Sequence, residues 1–82
     1  MRIEYSDAVN EALESAPLAV RKAFFKQARF LQHDLHHPSL RAKKYDESTD
    51  LWQARVNKDW RFYFIITDDT YRIEKVIPHP KK

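Results

Sequence analysis

The sequence has 82 residues, of which 43% are hydrophobic and 33% are charged. This balance is typical of one small globular domain, residues 1–82. It excludes a chain that is too polar to form a hydrophobic core. No apolar run approaches the roughly 20 residues that span a bilayer, and the first residues lack the apolar core of a signal peptide. Cysteine is absent, so we expect a cytoplasmic protein with no disulfide and no membrane partner.

The formal net charge of +3 is concentrated in the second part of the chain. Residues 1–37 carry five basic and five acidic side chains, whereas residues 38–82 carry ten basic and seven acidic ones. A basic excess of this kind is compatible with an anionic partner such as nucleic acid, although many small basic proteins bind none. Charge by itself therefore leaves the partner open.

The N-terminal region predicts a short strand and then a helix. The segment MRIEY is suited to a strand. Ser6 or Asp7 can accept a hydrogen bond from a free N–H of the first helical turn, so either can begin a helix that runs through Leu13. Pro17 disfavours helical geometry at the residue before it, and we expect the helix to end there.

A second helix is predicted between two prolines. Pro17 suits its first turn, because that position needs no N–H donor, and Pro38 should end it. Apolar residues recur at the helical spacings of three and four, and they are Val20, Phe24, Ala28, Leu31 and Leu35. This pattern predicts a helix with one buried side.

Three histidines near the end of this helix, His33, His36 and His37, also lie at helical spacings and could ligate a metal ion. No fourth ligand is evident, and positively charged side chains favour a helix C-terminus in any case. We therefore assign no metal site and no cofactor.

The second half of the chain predicts a loop and then three strands. The loop is residues 37–50, and the strands are 51–57, 60–67 and 71–77. Short turns between consecutive strands favour an antiparallel meander. The third strand alternates less cleanly, because Lys75 shares a face with apolar residues. Two helices on one face of such a mainly antiparallel sheet, with the short N-terminal strand, give an α+β domain.

Alternation along the strands predicts two unlike faces of the sheet. The face covered by the helices takes Trp52, Ala54, Val56, Trp60, Phe62, Phe64 and Ile66. The opposite face takes Gln53, Arg55, Arg61 and Tyr63. It is a polar, cationic surface with one aromatic ring, although Arg61 could also be a solvated residue paired with Asp59 or Glu74.

The segment HPSLRAKKYDESTDLWQARVNKDWRFYFII and the closing IPHPKK, with this order of elements, resemble the RelE/ParE toxins of bacterial type II toxin–antitoxin systems. The resemblance covers essentially the whole chain. It implies a toxin that is neutralised by a cognate antitoxin protein. One branch of the family cleaves mRNA, usually in the ribosomal A site, and the other inhibits DNA gyrase.

The resemblance also extends to particular residues. Arg61 matches the Arg that follows an aromatic at the start of a strand, and His79 matches an imidazole or cationic group after the last strand. Arg55 keeps one of two basic positions on the preceding strand, and Gln53 occupies the other. Lys81 lies near a position where Arg is common, and the family's Tyr beyond it has no counterpart.

These matches imply a metal-independent endoribonuclease that cleaves mRNA on the ribosome and inhibits translation. Arg55 and Arg61 would hold the scissile phosphate and His79 would transfer a proton. The other candidates for RNA or phosphate binding are Lys43, Lys44, Gln53, Tyr63 and Lys81. Of these, Tyr63 is suited to stack on a base. The alternatives are a gyrase inhibitor of the ParE kind and an inactive relative that only binds an antitoxin.

Overall fold

The computed structural model of the chain describes residues 1–79. Its elements in chain order are β1 (Arg2–Tyr5), α1 (Asp7–Ser15), α2 (Leu18–His33), a 3₁₀ turn (Pro38–Leu40), β2 (Lys43–Asp46), β3 (Leu51–Arg55), β4 (Trp60–Thr67) and β5 (Thr70–Pro78). The strands form one sheet in the order β1-β5-β4-β3-β2. Only the β1–β5 pair in this sheet is parallel. The predicted α+β class is confirmed.

Local signals begin both helices where the sequence predicts. The Ser6 hydroxyl accepts a hydrogen bond from the Val9 N–H at 3.2 Å, which satisfies one of the free donors in the first turn of α1. Ala16 is extended, with ψ at 153°, and α2 starts directly after Pro17.

Within residues 1–79, neither helix is both long and apolar enough to cross a membrane.

The second helix is shorter than its apolar periodicity predicts. Asp34 is extended directly after His33, and its carboxylate accepts a hydrogen bond from the His36 N–H at 2.9 Å. An Asp side chain that bonds the backbone two residues ahead favours a turn over another helical turn. Leu35 still packs against the core, but from outside the helix. The expectation that the helix continues to Pro38 is therefore wrong.

The segment 37–50 is not a plain loop. It contains the 3₁₀ turn and β2, which pairs antiparallel with β3 so that Lys43 lies opposite Gln53 and Lys44 opposite Trp52. The strand is four residues long, mostly polar and interrupted by a register shift. A strand without apolar alternation gives no periodic signal, which is why it was not predicted.

The helices cover one face of the sheet and form the core with it. Phe24 of α2 meets Phe62 of β4 edge to face, with ring centroids 5.4 Å apart. Trp52 lies over Phe64 from a partly buried position. The other fully buried side chains include Val9, Leu31, Leu40 and Ile73. Because these residues fill the helix side, alternate residues of β3 and β4 lie on the uncovered face.

A bulge explains the irregular pattern of β5. The register of β5 against β4 skips Glu74, which is an extra residue in the ladder. A bulge reverses the alternation beyond it. Ile73 and Val76 are accordingly both buried, whereas Lys75 is exposed. The bulge therefore lets β5 place an apolar residue in the core on each side of two charged residues, Glu74 and Lys75.

Candidate phosphate-binding site

The uncovered face of the sheet holds a pocket of about 240 Å³ where β2, β3 and β4 meet the end of β5. It is lined by Arg41, Lys43, Gln53, Ala54, Arg55, Arg61 and His79. Four of these seven residues are Lys or Arg, and none is acidic. A concave site with charges of one sign concentrates ions of the opposite sign, so this lining favours an anion.

Two arginines form the centre of this pocket. Arg55 on β3 and Arg61 on β4 are direct cross-strand partners, so their side chains leave the sheet on the same face. Burial lowers the pKa of the Arg61 guanidinium below its ordinary value, and the charge of Arg55 lowers it further. The Nε of Arg55 is buried and has no hydrogen-bond partner within residues 1–79. An anion between the two would offset their repulsion and could accept from this donor.

The turn between β3 and β4 holds Arg61 in place. The Arg61 guanidinium donates to the carbonyls of Asn57 at 2.8 Å and Trp60 at 3.0 Å. The Asn57 side chain closes the turn by accepting from the N–H groups of Asp59 at 2.8 Å and Trp60 at 2.9 Å. The His79 N–H donates to the Asp59 carbonyl at 2.7 Å. One turn therefore positions both Arg61 and His79.

Gln53 and Tyr63 form a buried pair beside the arginines. They are cross-strand partners, and the Gln53 amide donates to the Tyr63 hydroxyl at 2.8 Å. Tyr63 is only 4% exposed. Tyr45 meets its ring edge to face at 5.0 Å, and the Lys75 ammonium lies 4.8 Å from its centre. The expectation that Tyr63 offers its ring to a base is therefore wrong, because neighbouring side chains cover it.

The side chains of the two lysines of β2 leave opposite faces of the sheet. Lys43 lines the pocket. Lys44 pairs with Trp52 instead, and its ammonium lies 3.2 Å from the Asp50 carboxylate and 5.3 Å from the centre of the Trp52 ring. Adjacent strand residues leave opposite faces of a sheet, which separates the pair. Lys43 thus lies in the pocket and Lys44 outside it, and a contact of either lysine with phosphate stays a prediction.

Sequence reasoning missed Arg41 and Tyr45, and Lys81 lies outside the described residues. Arg41 follows the 3₁₀ turn in a left-handed conformation, with φ at 47°, and lines the pocket. Tyr45 is 56% exposed and is the aromatic ring next to Tyr63 that solvent can reach. The available signal is the segment RAKKY, which is cationic and aromatic but has no apolar alternation.

The three histidines near the end of α2 are not arranged as a metal site. The helix ends at His33, so the predicted helical spacing to His36 and His37 is lost. The His37 ring stacks on Phe30 at 3.9 Å, and its Nδ1 accepts from the Ser39 N–H at 3.2 Å. No group of three or more His, Cys, Asp or Glu side chains within residues 1–79 is placed to hold a metal ion.

No protein-family model matches the chain, and neither does any curated protein sequence. Solved structures do match it over nearly its whole length. A chain of the archaeal RelE–RelB complex from Pyrococcus horikoshii OT3 has a TM-score of 0.79 at 24% identity, over 94% of this chain and 92% of that one. The YoeB/ParE toxin from Agrobacterium tumefaciens has a TM-score of 0.81 at 9% identity, over 98% and 100%.

A chain of the heterotetrameric YoeB–YefM toxin–antitoxin complex from Staphylococcus aureus is also similar, with a TM-score of 0.77 at 13% identity and 98% of each chain covered. This protein has the fold of the RelE and YoeB toxins. The fold implied by the resemblance in sequence is thereby confirmed. Identities this low show the fold alone, and a shared fold does not determine an activity.

The pocket of this RelE-like chain combines two kinds of chemical group. Guanidinium forks match the geometry of phosphate oxygens and stay charged. An imidazole can accept or donate a proton near neutral pH. Arg55, Arg61 and His79 place both kinds of group in one pocket.

Proposed function

We propose that this chain is the toxin of a toxin–antitoxin pair and a metal-independent endoribonuclease. In this proposal it cleaves mRNA on the ribosome, in the cytoplasm, and so inhibits translation. The observation that carries the proposal is the single pocket that brings Arg55, Arg61 and His79 together with Arg41 and Lys43 and with no acidic residue. The RelE-like fold supports the toxin role.

The reaction joins a ribose 2′-oxygen to the adjacent phosphorus. The bond from phosphorus to the 2′-oxygen forms while the bond to the 5′-oxygen breaks, which leaves a cyclic phosphate and a 5′-hydroxyl. A base accepts the proton of the 2′-hydroxyl, and an acid gives a proton to the departing 5′-oxygen. Fixed donors stabilise the charge that grows on the remaining phosphate oxygens.

Five of the seven pocket residues have a place in this reaction. Arg55 and Arg61 bind the phosphate oxygens, and their strands hold them more firmly than a loop would. His79 is exposed beside them and is either the acid or the base, and solvent water makes the other proton transfer. Arg41 and Lys43 add positive charge around the phosphate. No metal ion takes part in this scheme.

Stacking on a base is assigned to Tyr45 in place of Tyr63. The Tyr45 ring is more than half exposed and rests edge to face on the buried Tyr63 ring, which fixes its position. An exposed aromatic ring beside cationic groups is the usual platform for an unpaired base.

The cognate antitoxin is proposed to bind the outer side of α2. Helix α2 contains no Asp or Glu, and Leu18 and Phe25 on it are 57% and 47% exposed. Lys22 and Arg29 flank Phe25 at helical spacing and are exposed. An acidic segment that folds on binding would cover these apolar side chains and pair with the cations. The solved RelE–RelB and YoeB–YefM complexes support an antitoxin partner for a protein of this fold.

Cleavage of mRNA in a translating extract tests the proposed function. We expect Arg61→Ala to lower the cleavage rate about 10²–10³-fold and His79→Ala to lower it about 10²–10⁴-fold. The matched controls are Arg72→Ala and His36→Ala, which remove exposed side chains outside the pocket and should cleave at the wild-type rate.

Circular dichroism and thermal melting establish that each variant is folded. Wild-type cleavage rates in folded Arg61→Ala and His79→Ala would refute the assignment. Inhibition of gyrase supercoiling by a wild-type protein that leaves mRNA intact would replace it with the gyrase-inhibitor alternative. Antitoxin binding without mRNA cleavage or gyrase inhibition would support the remaining alternative, an inactive relative that only binds an antitoxin.

A further inference from the structure

A second concavity adjoins the pocket on the side of α2. It is an open groove of about 650 Å³, and the charged residues in its lining are all cationic: Lys26, Arg41, Arg55 and Lys58. Arg41 and Arg55 also line the first pocket, so the two concavities adjoin at these two residues. A continuous cationic path therefore leads from the proposed cleavage site to α2.

The walls of the groove are held by one buried side chain. Gln27 of α2 is 6% exposed, and its amide donates to the carbonyls of Ser39 at 3.0 Å and Arg55 at 2.9 Å. Its amide oxygen accepts from the Ser39 hydroxyl at 3.2 Å. These bonds join α2, the 3₁₀ turn and β3. The groove is therefore formed by fixed backbone and not by adjustable side chains alone.

We propose that this groove binds the phosphates of single-stranded RNA that flank the one in the pocket. The inference rests on the proposed function, because it extends the same strand past the cleavage site. A groove lined with cations follows the backbone of a single strand. No aromatic ring lines it, so the contacts are to phosphates and do not depend on the bases. An acidic protein segment fits less well, because the lining holds no large apolar or aromatic residue to anchor it.

The groove predicts that RNA affinity depends on the length of the strand. The probes are fluorescein-labelled oligonucleotides of about three and about nine residues, methylated at each 2′-oxygen so that they cannot be cleaved. Fluorescence anisotropy measures their binding at several salt concentrations. The shorter probe reaches the pocket alone, whereas the longer one also reaches the groove.

The decisive variant is Lys26→Gln combined with Lys58→Gln, which removes two charges from the groove and none from the pocket. We expect affinity for the longer probe to fall about tenfold and the slope of log affinity against log salt to fall by about 1.4. Affinity for the shorter probe should change less than about twofold. The matched control is Arg2→Gln with Arg72→Gln, which removes two exposed charges from β1 and β5 and should bind both probes as the wild type does.

The outcomes separate the groove from the proposed function. Undiminished binding of the longer probe by the groove variant, with mRNA cleavage intact in the wild type, would overturn the groove alone. Equal losses for both probes would also overturn it. A wild type that neither binds a probe nor cleaves mRNA would refute both. If the double variant does not fold, Lys58→Gln alone is measured, with a slope change of about 0.7.

Discussion

Arg55 and Arg61 face each other directly across β3 and β4, so two like charges occupy a position where a sheet gains from opposite ones. The Nε of Arg55 is also buried without a partner in the described part of the chain. Both features cost stability in the free protein, and an anion bound between the two arginines would relieve both. The cross-strand arginine pair therefore lowers the stability of the free protein, and its arrangement suits a site for an anion.

Replacing Arg55 by Gln should raise stability and lower activity in the same variant. Loss of the like-charge contact should raise the free energy of unfolding by about 0.5 kcal/mol, measured by urea titration. Loss of a phosphate donor should lower mRNA cleavage about 10²–10³-fold. Arg2→Gln makes the same change in charge outside the pocket, opposite the neutral Thr70, and should alter neither quantity appreciably. A lower free energy of unfolding in Arg55→Gln would contradict the destabilising repulsion between Arg55 and Arg61.

Asn57 should act as a positioning residue, since its side chain closes the turn that holds Arg61 and His79. We expect Asn57→Ala to cost about 1 kcal/mol of stability and to lower cleavage by up to about 10²-fold through misplacement of the reacting groups. Asn57→Asp keeps the acceptor oxygen. It should restore the stability but not the cleavage rate, because it adds negative charge beside Arg61. Equal cleavage by all three proteins would exclude this role.

The hydrogen bond between Gln53 and Tyr63 should matter for stability and not for catalysis. Tyr63→Phe leaves the Gln53 amide without this acceptor, which should cost about 1–3 kcal/mol. Gln53→Leu combined with Tyr63→Phe should cost less than the sum of the single changes, by about 1 kcal/mol in a double-mutant cycle. Cleavage by Tyr63→Phe should stay within about twofold of the wild type, since the ring is covered. Slow cleavage by a fully stable Tyr63→Phe would restore a direct role.

We expect Tyr45 to stack on an RNA base, which the buried ring of Tyr63 cannot do. Tyr45→Ala should lose about 1–3 kcal/mol of affinity for the longer RNA probe, measured by anisotropy. Tyr45→Phe keeps the ring and should bind as the wild type does. Melting curves control for the loss of the edge-to-face contact with Tyr63. Equal affinities of the Ala and Phe variants would show that no base stacks there.

Gln27 should be one of the most sensitive polar positions for folding, because three elements depend on its amide. Gln27→Leu leaves the Ser39 and Arg55 carbonyls without this donor and should cost about 1–3 kcal/mol of stability. Gln32→Leu on the same helix is the matched control, since Gln32 is exposed, and it should be close to neutral. Urea unfolding compares the two, and equal midpoints would contradict the bracing role.

Residues that act on their immediate neighbours were predictable from the sequence. Ser6 caps α1, and Pro17 separates the helices, through contacts within one turn of chain. The strict alternation of β4 likewise placed Phe62 in the core and Arg61 on the opposite face, because successive strand residues always diverge. The meander and the separation of its two faces followed from that periodicity.

The positions that were missed depend on contacts distant in the chain. β2 is a strand only because β3 supplies its hydrogen bonds, and that pairing places Lys43 in the pocket and Lys44 against Trp52. Tyr63 is covered by residues from β2 and β5, which no local pattern reports. The amino-acid order by itself determined which residues could form a cationic face. Tertiary packing decided which of them share a pocket, because that depends on strand register and on what covers each side chain.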